Sequence, residues 1–223
     1  MQKVKISKRQ LKEDQFTSFM LTARHQVLEY WQFIVIGLVV LVLLIVGVVY
    51  FFNAQTAKKS EASEKLSAAL LDYRSGSMTT AIAALNAVVT DYGSEPSAEF
   101  ATFLLGNANL RIRNYSEATR FFEMYLAKYK GDSFHRASAQ SGIAAAAENQ
   151  GDFAKAADAF ESAYNEEKEG AQAGDFLSGA VRNHLAAGNI DRARSFLDIL
   201  KKDFEGTDLT KRTIRLFAEK TSS

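Results

Sequence analysis

Metal and acid–base chemistry in this 223-residue chain would have to come from three histidines and its carboxylates, because there is no cysteine. The missing cysteine removes a thiolate nucleophile, a thiolate metal site and a disulfide framework. His25, His135 and His184 are far apart in the sequence, and none has a second histidine at ligand spacing. His184 stands among apolar residues and reads as a hydrogen-bonded core histidine, His135 opens a helix, and His25 borders an apolar run. Glu166-Glu167-Lys168-Glu169 reads as a charged helix end or loop, since its spacing is not that of a metal loop. There is no phosphate-cradling glycine loop, no G-x-S-x-G and no H-E-x-x-H. The residues therefore predict a protein that is not an enzyme and takes no cofactor, metal or small-molecule substrate. A net charge of +1 lacks the basic excess of a nucleic-acid binder.

Without a chemical centre, function must rest on surfaces, and the chain's organisation shows where these lie. Phe33–Phe52 is a run of 20 residues with no charge, amide or proline. As a helix it spans about 30 Å, the thickness of a bilayer's hydrocarbon core. It is longer than the apolar region of a secretory signal, and Asn53-Ala54-Gln55 is a poor cleavage site, so an uncleaved signal anchor is expected. Tyr30 and Trp31 before it, and Tyr50, Phe51 and Phe52 at its end, suit the two membrane interfaces.

Lys3, Lys5, Lys8, Arg9, Lys12 and Arg24 give residues 1–32 a net charge of +3, which favours a cytoplasmic N-terminus. Lys58, Lys59 and Lys65 argue the other way, though long domains cross membranes largely regardless of charge. Phe16, Phe19, Met20, Ala23, Val27 and Tyr30/Trp31 recur at helical spacing. They predict an amphipathic helix that lies on lipid or docks on a membrane partner.

The rest of the chain repeats. Gly76/Met78/Ala81/Leu85, Arg113/Tyr115/Ala118/Phe122, Gly151/Phe153/Ala156/Phe160 and Gly188/Ile190/Ala193/Leu197 share one spacing, with the alanines 37, 38 and 37 residues apart. Leu105-Gly106-Asn107-Ala108 precedes the second copy. This pattern resembles the tetratricopeptide repeat, a helix–turn–helix unit that stacks into a solenoid. The resemblance implies an all-α fold: one transmembrane helix, about four repeats and a capping helix. The glycines, or Arg113, end the first helix of each pair, and the alanines let the paired helices approach. Tyr115, Phe153 and the Phe or Leu after each alanine fill the gap to the next pair.

The divisions expected are a tail 1–32, an anchor 33–52, a helical or flexible stalk 53–61, repeats 62–206 and a cap with tail 207–223. In the cap, Leu209, Ile214, Leu216 and Phe217 face the stack, while Lys211, Arg212, Arg215 and Lys220 keep the outer face wet. In tetratricopeptide stacks the first helix of each pair lines the concave face. Carried over, that gives Ser63, Leu66, Leu70 and Tyr73, then Phe100, Phe103, Asn107 and Leu110. The later copies give Ser138, Ser141, Ala145 and Glu148, then Asp175, Ser178, Arg182 and Leu185. The first two copies are thus apolar and aromatic, the last two small and polar. A register error of one residue would put Leu66, Leu70 and Phe103 in the core instead.

The order of parts is similar to that of the YfgM-like family of bacterial inner-membrane proteins, ancillary subunits of the SecYEG translocon. That resemblance implies a periplasmic repeat domain that binds protein partners or clients, with a membrane-anchored periplasmic chaperone among them. Two other readings stay open. One is a structural scaffold for envelope assembly or cell division. The other is an organelle import receptor with a carboxylate clamp, of whose aligned positions (Leu66, Leu70, Leu104, Asn107 and Gly142) only Asn107 fits.

Overall fold

The computed structural model describes residues 8–222, and every element among them is an α-helix. The first, α1 (Lys8–Ser75), crosses a division between two compact units that falls between Ala57 and Lys58. In the first unit the side chains described from Leu38 to Phe52 are all exposed, and α1 is long and apolar enough to cross a membrane. Phe19, Met20, Tyr30 and Trp31 are exposed as well. Lys3 and Lys5 lie outside the described residues, as do the side chains of Lys8, Arg9, Lys12, Phe16, His25 and Val27. Residues 53–61 are helical throughout.

In the second unit, residues 58–75 of α1 pair with α2 (Met78–Asp91). Then α3 (Pro96–Arg111) pairs with α4 (Tyr115–Lys128), α5 (Ser133–Gln150) with α6 (Phe153–Glu166) and α7 (Ala173–Ala186) with α8 (Ile190–Asp203). The last helix, α9 (Asp208–Thr221), packs on α7 and α8. This is a tetratricopeptide-like solenoid of four pairs with a terminal cap.

Local chemistry sets the helix ends. Pro96 stands in the first turn of α3, where its missing N–H costs nothing. Asp132, Asp152 and Thr207 each accept the backbone N–H three residues on, at 2.8, 3.1 and 3.2 Å, and so start α5, α6 and α9. Between the paired helices the chain reverses through a left-handed residue: Gly76, Gly151 and Gly188 at φ 87°, 81° and 80°. The second pair does the same with Arg113, at φ 62°, where a Cβ is disfavoured. The left-handed conformation costs a non-glycine residue about 1–2 kcal/mol, and glycine's extra unfolded-state freedom returns about 0.5–1. Arg113→Gly is therefore expected to raise the melting midpoint by roughly 2–4 °C. A lower midpoint in differential scanning calorimetry would show that the arginine side chain outweighs its backbone.

The core follows the repeat. Ala81, Ala118, Ala156 and Ala193 have no exposed surface, and after them Leu85, Phe122, Phe160 and Leu197 are buried. Phe122 lies in a slot made by two glycines. A Cβ built on Gly106 of α3 would stand 2.5 Å from the ring, and one on Gly142 of α5 closer still. One step along, a Cβ on Gly179 of α7 would stand 2.8 Å from Phe160. Each ring thus packs between helices of its own pair and the next, which is how neighbouring copies share a core.

The residue expected to fill the gap ahead of each alanine behaves unevenly. Met78 is buried, and Tyr115 is half-buried with its hydroxyl donating to Asn149 Oδ1 at 3.1 Å. Phe153 is a correction, at 38% exposed, and Ile190, at the matching position, is 42% exposed. All four open the second helix of their pair, so the shared spacing places them alike while their cover differs. In the cap, Leu209 and Phe217 pack on the core but Ile214 is exposed, and Thr210 and Thr213 are buried. Thr210 Oγ1 donates to the Phe204 carbonyl at 2.7 Å and Thr213 Oγ1 to that of Leu209 at 2.8 Å, which satisfies both hydroxyls.

Candidate functional site

Packing the alternate helices side by side leaves a cleft of about 480 Å³ among residues 58–75, α3 and α5. Tyr73 comes from the first of these, Phe103, Asn107 and Leu110 from α3, and Ser138, Ser141 and Ala145 from α5. These are positions four and three residues apart on single helix faces, so one helical stripe per repeat supplies each wall. Leu104, Phe134, Gly142 and Gln172 complete the lining. The sequence reading missed Phe134, although it is one turn before Ser138 on the same face and 47% exposed.

The apolar positions divide their surface between cleft and core. Leu66, Leu70 and Tyr73 are half-buried and pack on Leu85, Leu104, Leu105 and Phe121; Phe103 and Leu110 pack on the core around Phe122. The Phe103 ring lies between neighbours, with ring centroids 6.0 Å from Phe122, 5.5 Å from Tyr125 and 5.2 Å from His135. Phe100 is 37% exposed and stacks on Phe103 at 6.5 Å. Asn107 donates to the Phe103 carbonyl at 3.3 Å, so its amide is partly spent within α3.

Polar groups on the last two repeats pair with one another. Arg182 of α7 makes a forked ion pair to Glu148 of α5, Nε to Oε1 at 2.6 Å and Nη2 to Oε2 at 2.8 Å. The Arg182 guanidinium holds the Glu148 carboxyl below its ordinary range, and Glu148 in turn raises Arg182. Ser178 and Thr213 share a hydrogen bond at 2.8 Å. Arg182 is thus a strut between adjacent repeats, in addition to its place on the face.

His184 differs from its expected hydrogen-bonded state. It is 4% exposed and stacked on Phe196 at 5.6 Å, and neither ring nitrogen has a hydrogen-bond partner. Glu161 Oε2 is 3.9 Å from Nε2, and Arg192 already holds that carboxylate. Burial lowers the His184 pKa below 6.5; Glu161 and Asp158 oppose the shift, and Arg192 adds to it. The unfolded chain therefore binds the proton more tightly. The contribution of this histidine to stability is full above about pH 6.5 and is lost as the pH falls below that value. His184→Leu is expected to flatten the melting midpoint between about pH 7 and pH 5. An unchanged slope would assign the loss to other groups. Among the described residues no group of three or more His, Asp or Glu is placed to hold a metal ion.

Comparison with known proteins bears on this architecture. The family described as tetratricopeptide repeat-like domain matches residues 27–195. No curated protein sequence matches the chain. Among solved structures, a tetratricopeptide repeat protein from Parabacteroides merdae superposes with a TM-score of 0.63 at 14% identity, over 72% of this chain. The chain spans 60% of the length of that structure. TPR-like repeats ascribed to a kinesin light chain of Podosopora anserina superpose with a TM-score of 0.57 at 17% identity, over 74% of this chain and 86% of that one. At such identities the likeness concerns the fold.

Proposed function

This chain belongs to the tetratricopeptide repeat-like domain family, and from that membership we propose that it is a membrane-anchored scaffold that binds segments of partner proteins in the cleft between its first three repeats. Repeat stacks of this kind work through protein–protein contact, and nothing in the chain's residues suggests catalysis. The observation that carries the reading is the cleft itself. Tyr73, Phe103, Leu110 and Phe134 present apolar surface beside the hydroxyls of Ser138 and Ser141, a composition suited to an apolar or amphipathic segment.

The finer proposal is an adaptor of the bacterial inner membrane, N-terminus cytoplasmic and repeats periplasmic, that works beside the SecYEG translocon with a periplasmic chaperone. The order of parts supports it: a basic tail, one apolar helix, four repeats and a cap. The test is benzoylphenylalanine at Ser138 of the full chain in intact membranes. Ultraviolet capture of a translocon subunit or periplasmic chaperone is expected, and Phe134→Ser should lower the yield while the melting midpoint holds. Capture only of peptidoglycan-synthesis or outer-membrane assembly proteins would replace the translocon reading with that of an envelope scaffold.

A further inference from the structure

One turn from the cleft, at the start of α3 and α5, is a smaller cavity of about 180 Å³ with a different character. Its lining is Pro96, Glu99, Phe100, Tyr125, Asp132 and His135, with two carboxylates, three rings and no lysine or arginine. The Phe100 and His135 rings meet edge-on at 6.0 Å and 90°, and Tyr125 behind them is 2% exposed. Asp132 is largely committed: it accepts the His135 backbone N–H at 2.8 Å and faces the His135 Nδ1 at 2.9 Å, which meets the positive end of α5. Glu99 is engaged only by the Tyr125 hydroxyl, which bonds it weakly. It is half-buried, and its charge acts on the Tyr125 hydroxyl. The nearest guanidinium, Arg136, is held by Glu166 through Nε and Nη2, the latter at 2.8 Å.

The site therefore joins a half-buried carboxylate to aromatic faces without a cation of its own, an arrangement that favours positive charge. Tyr125 responds to the same groups: burial first, then Glu99 and Asp132, push its phenol up to about 12, with Arg136 opposing them. The cavity also adjoins the cleft. Phe103 lines the cleft and touches His135, and Phe134, on the cleft's other wall, meets the His135 ring at 5.3 Å. We propose that this socket receives a lysine or arginine side chain of the segment bound in the cleft, with the cation against the Phe100 ring and paired with Glu99. The proposal rests on the cleft reading above and adds a charge requirement: the partner segment carries a basic residue beside its apolar anchor.

The experiment places benzoylphenylalanine at Ser138 in the cleft and, separately, at Pro96 on the socket rim, in the full chain in intact membranes, and sequences the captured peptides. One segment is expected at both positions, with Lys or Arg within two residues of the Pro96 adduct. Glu99→Gln should lower capture at both positions roughly tenfold, the scale of a charge-assisted hydrogen bond. Changing the captured Lys or Arg to Gln in the partner should produce the same loss without touching the fold of this chain. Capture at Ser138 of a segment with no basic residue near Pro96, or yields that neither substitution moves, would overturn the socket and leave the cleft standing. Capture at neither position would overturn both.

Discussion

Gly142→Ala is expected to lower the melting midpoint by several degrees, although the same change at an ordinary helix position would raise it. Alanine is the better helix former by about 1 kcal/mol, so propensity alone predicts stabilisation. Packing decides otherwise. The new methyl would fall far inside van der Waals contact with one edge of the Phe122 ring, and Gly106 bounds the ring's other edge about as tightly. The ring has nowhere to go, and forcing α5 outward costs about 1–3 kcal/mol or more. Gly142→Val should unfold the middle of the stack. The double variant Gly142→Ala/Phe122→Leu isolates the cause. If the clash dominates, it should cost clearly less than the two single losses added together, because the smaller side chain leaves room for the methyl. A midpoint that rises with Gly142→Ala would show that the slot has slack.

Ala118→Leu and Ala156→Leu should each destabilise the domain by a similar or greater amount. Both alanines have no exposed surface and sit near the start of the second helix of their pair, where it crosses the first. Three added carbons there must separate two backbones. Because every pair shares its core with the next, loosening should spread to neighbouring repeats and broaden the transition. Circular dichroism melts of the full chain in detergent measure both effects. A sharp transition at the wild-type midpoint would show that the alanines do not mark helix crossings.

The solenoid was legible because its signal is periodic and local. Ala81, Ala118, Ala156 and Ala193 recur at nearly constant spacing, and each lies where a repeat needs a small residue. Gly142 and Gly179 were not legible. A glycine in a helix interior reads as a weakness, and its purpose appears only when the ring that fills the space arrives from another helix. Phe134 escaped because the helical stripe was begun one turn too late. Phe153 and Ile190 stand at the same helix-opening position as the buried Met78, and a shared spacing cannot tell a covered position from an uncovered one. The forked pair of Arg182 and Glu148, 34 residues apart, joins two repeats whose relative register only packing sets.

The slot around Phe122 has a temporal consequence. One of its walls, Gly106, precedes the phenylalanine in the chain, but the other, Gly142, follows it by 20 residues. At a synthesis rate of roughly 5–20 residues per second, the ring waits about 1–4 s for the helix that covers it. Phe160 waits nearly as long for Gly179, 19 residues on. Through its two middle repeats a nascent chain of this protein therefore advances with one unsealed aromatic at its growing edge, and each of those repeats closes only once the next helix has been made.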